Sequence, residues 1–202
     1  MNRQRNIGIW VVLAILVLVV ISGVGSYNGL VASSQAVDAQ WGQVQNVYQR
    51  RADLVPNLVA TVKGAANFEK STYVAVAQAR ASVGSLSPQV VQNAVNDPQA
   101  MAQFEKAQNA LGSSLSRLLV TVENYPQLKA NENFLTLQSQ LEGTENRIAV
   151  ERKRYNDLAQ AYNTRRNTFP TIVYAGIFGK QFGTKSYFQA NTAAQNAPQV
   201  QF

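Results

Sequence analysis

From Ile7 to Val24 the chain reads IGIWVVLAILVLVVISGV, eighteen residues without a charge, preceded by Arg3 and Arg5 and followed by no charged residue until Asp38. A helix of that length rises about 27 Å, close to the roughly 30 Å of a bilayer's hydrocarbon core. Trp10 and Tyr27 stand near its two ends, where interfacial aromatics are favoured. The run therefore predicts a membrane span, with Ile7, Trp10, Leu13, Leu16, Leu18 and Ile21 among its anchor residues. A cleaved signal sequence is the competing reading. Against it, the run exceeds the roughly 7 to 15 apolar residues of a signal core, and SGVGSYNG offers no clear cleavage site. A lipoprotein signal is excluded, because there is no cysteine to acylate.

Arg3 and Arg5 on one side, against the uncharged stretch Gly25 to Val37 on the other, predict a cytoplasmic N-terminus. The rest of the chain is then expected on the outer side of the cytoplasmic membrane. Ser22, Gly25, Ser26 and Gly29 recur at spacings of three and four where the span ends, which would let two helices approach closely. An ordinary membrane exit has the same look.

Beyond the span the sequence is organised in heptads. Steps of three and four residues pick out Tyr27, Leu30, Ser34, Val37, Trp41, Val44, Tyr48, Arg51, Val55, Leu58, Val62, Ala65, Glu69, Thr72, Val76 and Ala79, most of them apolar. The register passes Pro56 without a skip, which predicts one kinked helix of more than fifty residues, with Asp53 placed to cap a restarted segment. Its polar members Arg51 and Glu69 mark places where the seam meets a charge or emerges to solvent. Residues 83–98, with two prolines, a glycine and two serines, read as a loop with at most a turn of helix. Asp97-Pro98 then has the form of a cap followed by proline at the first helical position. From there Met101, Phe104, Gln108, Leu111, Leu115, Leu118, Val122 and Tyr125 keep the same spacing up to Pro126. A third pattern runs from Ala130 through Phe134, Leu141, Ile148, Tyr155 and Tyr162 to Phe169-Pro170.

The predicted fold class is all-α: an N-terminal transmembrane helix followed by a mostly antiparallel bundle of three to four long helices. The expected divisions are residues 1–26 for the cytoplasmic N-terminus and anchor, 27–170 for the bundle, 171–188 for an aromatic and glycine-rich docking segment, and 189–202 for a disordered tail. The docking segment combines Tyr174, Phe178, Phe182, Tyr187 and Phe188 with only Lys180 and Lys185 as charges. It wants an apolar partner, which could be its own bundle, a neighbouring copy or the bilayer surface.

Charge is uneven. Of the net +7, residues 147–202 carry +6 (eight basic, two acidic), which concentrates Arg147, Arg152, Lys153, Arg154, Arg165 and Arg166 on the third long helix. That cluster is a candidate for anionic partners such as phospholipid headgroups or an acidic protein, although a solvated helix face explains it equally simply. Nucleic acid is not expected, since no recognised module or run of stacking aromatics accompanies the charge. The absence of His and Cys excludes Ser/His and Cys/His nucleophilic sites and zinc thiolates. No phosphate-binding glycine loop or nucleophile elbow is present, and Glu142 and Glu145 stand beside Arg147 where ion pairing explains them. No enzymatic activity, cofactor or metal is expected, with a carboxylate-only Mg²⁺ or Ca²⁺ site and a Ser–Lys pair as the residual possibilities.

Longer strings carry more than periodicity. Tyr27-Asn28, Leu30-Val31, Trp41, Arg50-Arg51, the run from Asp53 to Val59, Thr61 to Gly64 and Glu69-Lys70 resemble the first half of the LemA family. Tyr125-Pro126, Leu128 to Phe134, Leu141 to Ile148, Arg154-Tyr155-Asn156, Tyr162-Asn163, Phe169-Pro170, Gly176, Phe178-Gly179 and Tyr187-Phe188 resemble its second half, in order. The chain departs from the pattern in its polar, proline-rich 83–98 loop and in a longer stretch between Phe178-Gly179 and Tyr187-Phe188. The resemblance implies a bacterial single-span membrane protein whose helical bundle follows an N-terminal anchor, with no established activity, so no functional residue can be carried over. The expected partners are the lipid bilayer, copies of the same chain assembling into a scaffold, and, as the alternative, a membrane enzyme or transporter for which the bundle acts as adaptor.

Overall fold

The computed structural model describes residues 2–65 and 67–189, the side chains of residues 2–6 and of residue 180 apart. Seven α-helices follow one another: α1 Asn2–Lys63, α2 Lys70–Gly84, α3 Pro88–Asn93, α4 Pro98–Val122, α5 Pro126–Lys129, α6 Glu132–Asn167 and α7 Thr171–Ile177. A 3-10 turn, Gly179–Phe182, and an extended strap, 183–189, complete the described chain. No strand occurs among the described residues. The architecture is the all-α bundle behind a long apolar helix that the periodicity predicts.

The 62 residues of α1 run without interruption from the apolar segment to the far end of the bundle, about 93 Å at 1.5 Å per residue. Its first part has a mean hydropathy of 3.0, and none of it is buried. This is a helix long and apolar enough to cross a membrane. From Leu30 onward the heptad positions turn inward, so that Leu30, Val37, Trp41, Val44, Tyr48, Val55, Leu58 and Val62 are all buried.

The expected continuation of this helix to Ala79 is corrected by the structure. Helix α1 passes Pro56 unbroken and stops at Lys63; Gly64 and Asn67 then supply the turn, Asn67 in the left-handed region at φ 61°. Asparagine tolerates that region better than most residues with a side chain. The heptad count survives the turn by coincidence, since Thr72, Val76 and Ala79 are buried again on α2. Phe68, which belongs to no seam position, fills the corner against Tyr73 and Tyr125. Asp53 caps nothing, because no helix restarts there; its carboxylate accepts from Gln49 at 2.7 Å.

After the turn the chain goes down, up and down again. The Arg80 Nε donates to the Ala52 carbonyl at 3.0 Å and Trp41 Nε1 to the Val91 carbonyl at 3.1 Å, so α2 and α3 descend along α1. Asp97 accepts from the Gln99 N–H at 2.8 Å and starts α4, with Pro98 at its first position. Helix α4 climbs back, burying Met101, Phe104, Gln108, Leu111, Leu115, Leu118 and Val122 along one face. Asn131 caps α6 by accepting from the Phe134 N–H at 3.1 Å, and α6 descends the full length of the bundle. The closest helix pairs are α1 with α6 and α2 with α4; α4 and α6 are held farther apart.

Two apolar cores result. The one nearer the apolar segment joins Trp41, Tyr48, Phe104, Tyr155 and Tyr162 to Phe182 and Phe188 of the C-terminal segment. The distal one joins Val55, Leu58, Val62, Leu111, Leu115, Leu118, Phe134 and Leu141. Arg51 lies between them, 3% exposed, donating to Glu145 at 3.1 Å and to the Gln108 carbonyl at 2.9 Å. The polar seam position thus meets a charge on its own chain.

Candidate functional site at the clasped end of the bundle

Helix α6 carries the pair Tyr-Asn twice, at 155–156 and 162–163, seven residues apart and hence on nearly the same face. Both pairs grip the strap. The Tyr155 hydroxyl donates to the Ser186 carbonyl at 3.0 Å and the Tyr162 hydroxyl to the Gly183 carbonyl at 3.1 Å. Asn163 donates from Nδ2 to the Lys185 carbonyl at 2.9 Å and accepts the Lys185 N–H on Oδ1 at 2.8 Å. Asn156 does the same to Phe188, at 3.0 and 2.9 Å. A side-chain amide has one acceptor and one donor end, so each asparagine supplies a rung of the kind a neighbouring strand would give. On its other side the strap is held by the Ser186 N–H on the Val95 carbonyl at 2.8 Å and the Gln189 N–H on Glu105 at 3.1 Å.

The clasp positions side chains as well as backbone. Phe188 sits among Trp41, Tyr155 and Phe104, with ring centroids 5.8, 5.4 and 6.5 Å away. Lys185, 6% exposed, reaches through to Asp38 on α1 at 3.1 Å and lies 5.5 Å from the Tyr162 ring centre. Burial raises the Tyr155 and Tyr162 hydroxyls above the ordinary tyrosine range, against the opposing charge of Arg166 at Tyr162 and with Asp38 adding to the effect at both, so both remain neutral donors. Burial also raises Glu105, against the opposing pull of the Gln189 N–H and of Arg152.

Below the strap the chain meets the apolar part of α1. The Tyr174 hydroxyl donates to the Val19 carbonyl at 2.9 Å, and its ring would stand 3.2 Å from a Cβ at Gly23. Phe178 and Phe182 pack edge-on against Tyr27 at 5.0 and 5.5 Å. The Arg165 guanidinium occupies the space where a side chain on Gly29 would begin. The small residues at the end of the apolar helix therefore admit groups of the same chain: Gly29 takes Arg165, Gly23 takes Tyr174, and Ser26 is buried, while Gly25 stays open.

Residues 40–202 match the LemA family. The chain belongs to that family. Its relatives include Magnetosome protein MamQ 1 and Magnetosome protein MamQ 2 of Paramagnetospirillum magneticum, each 27% identical over 95% of this chain and 78% of the relative. Protein LemA of Metamycoplasma hominis is 22% identical over 73% of this chain and 63% of the relative. Family and relatives together indicate a membrane-associated protein, and none of these names denotes an enzyme. The matched LemA-family region takes in both Tyr-Asn pairs, α7 and the strap.

Within this LemA-family chain the residues singled out from sequence are distributed as follows. The anchor residues Ile7, Trp10, Leu13, Leu16, Leu18 and Ile21 are all exposed on the first part of α1. Of the five docking aromatics, Phe182 and Phe188 are buried in the chain's own core and are not available to a neighbour or to lipid. Tyr174, Phe178 and Tyr187 keep exposed or half-exposed surface, and Tyr187 accepts from Asn163 at 2.8 Å, well away from the other two. The six basic residues form no single patch. Arg152 pairs with Glu105 at 3.0 Å and stacks over the Phe188 ring at 4.6 Å, Lys153 pairs with Asp157 at 2.7 Å, and Arg154 with Glu151 at 2.9 Å. Arg166 donates to the Phe182 carbonyl and Arg165 covers Gly29, while Arg147 borders a shallow groove with Val47 and Val150. Clustering in sequence does not become clustering in space, because α6 distributes adjacent residues around its circumference and along about 28 Å of axis. The expected disordered tail, 189–202, lies outside the described residues except for Gln189.

Proposed function

We propose that this protein is a non-enzymatic, membrane-anchored scaffold that assembles with copies of itself at the bacterial cytoplasmic membrane, N-terminus inside and bundle outside. The observation that carries this reading is α1, one continuous helix shared by the apolar segment and the bundle core, which supports a bundle mounted directly on its anchor. Anchoring confines the bundles to two dimensions, where weak side-to-side contacts gain effective concentration. The polar side chains near the strap are engaged in holding the fold, which supports a structural role over a chemical one. The orientation follows from Arg3 and Arg5.

A second reading, an adaptor for a membrane enzyme or transporter, is favoured by the gap between α4 and α6. That gap is a groove of about 400 Å³ floored by Leu115, Leu119 and Leu141 and edged by Glu142 and Glu145. Crosslinking separates the two. The chain has no cysteine, so Val150→Cys, at a position 47% exposed on α6, introduces a single reactive thiol. A homobifunctional maleimide joins two such thiols, one from each chain, so in intact membranes it should give a band at twice the 22.1 kDa chain. One stoichiometric foreign adduct would favour the adaptor, and monomer alone would contradict self-assembly.

A further inference from the structure

We infer that α7 is a wedge seated in the same leaflet from which the bundle emerges, with Arg165 above it at the depth of the lipid phosphates. The inference rests on the first part of α1 being a span and is independent of whether copies assemble. Helix α1 serves as the depth gauge. Tyr174 hydrogen-bonds to Val19 and packs on Gly23, both within the apolar run, whereas Phe178 packs on Tyr27, three residues past its end at Val24. Helix α7 is therefore pinned across the hydrocarbon boundary.

Its outer surface matches that depth. Phe169, Ile172, Val173 and Ile177 are 79, 45, 53 and 71% exposed, and no charge occurs from Asn167 to Gly179. Exposed to water, each would forfeit about 25 cal/mol for every Å² of apolar surface left uncovered. Gly29, where Arg165 is held, lies five residues beyond Val24, or about 7.5 Å along the axis, and the headgroup layer is roughly 5 to 8 Å deep on each side. A guanidinium there meets phosphates in the fork geometry that suits them. Lipid, and not a second copy, is the occupant because the patch is continuous with the apolar segment of α1, which is exposed from Ile7 to Ile21.

The absence of cysteine allows one-site labelling of the full chain in phosphatidylethanolamine/phosphatidylglycerol vesicles. Ile177→Cys, Val173→Cys, Val24→Cys and Val120→Cys would each carry an environment-sensitive fluorophore, read against phospholipids bearing a nitroxide high on the acyl chain. Labels at 177 and 173 should be quenched as strongly as at 24 and several-fold more than at 120, and a label at Arg165→Cys should be quenched most by a headgroup nitroxide. Quenching at 177 and 173 no greater than at 120 would overturn the wedge. So would blue-shifted emission there without lipid quenching, the signature of coverage by a second copy. Loss of quenching at 24 as well would overturn the span itself.

Discussion

Asn156 and Asn163 substitute for a missing strand, each closing a two-bond ring with the backbone of the strap. Asn163→Ala removes both bonds and strands a buried N–H and carbonyl of Lys185, which should lower stability by about 2 kcal/mol; urea unfolding in detergent measures it. Glu105 offers a second test. Its carboxyl is raised by burial, so the folded state holds the proton more tightly than the unfolded chain, and its contribution to stability falls as pH rises from the ordinary glutamate range through the raised value. The stability of wild type relative to Glu105→Gln should therefore decline as pH rises from 4.5, the ordinary value, toward neutrality, as read by thermal melts across that interval. Sequence periodicity exposes the two tyrosines, which occupy heptad positions of α6, but leaves the asparagines beside them silent. Their partner is an extended segment with no pattern of its own, so their signals are the Tyr-Asn pair recurring at seven and the family strings that contain both pairs.

Elements were legible where they pack along their whole length. Every position of the α4 seam from Met101 to Val122 is buried, and Asp97, Pro98 and Pro126 mark its boundaries as capping chemistry requires. The break after α1 was hidden, because Gly64 and Asn67 are weak signals beside a register that resumes on α2. The strap was legible as apolar but not as self-docking: composition cannot distinguish a surface meant for another molecule from one that folds back on its own helices. Phe188 decides how firmly it is held. Phe188→Ala empties a site between Trp41, Phe104 and Tyr155 and should cost about 3 to 5 kcal/mol, with the strap becoming cleavable by a broad-specificity protease under conditions where wild type resists.

The whole molecule combines a helix apolar enough to span a bilayer with a helical bundle built on its continuation, and the strap returns from beside the apolar segment to lock the nearer half. Arg51, bonded to Gln108 and Glu145, separates the two cores and fixes how α1, α4 and α6 align. For the lateral assembly proposed above, the mass of the protein is the quantity that decides. Light scattering on the complete protein, gently extracted and with the detergent contribution subtracted, should return a discrete multiple of 22.1 kDa that persists on dilution. A single-chain mass at every concentration would contradict self-assembly and turn attention to the groove between α4 and α6 and a foreign partner.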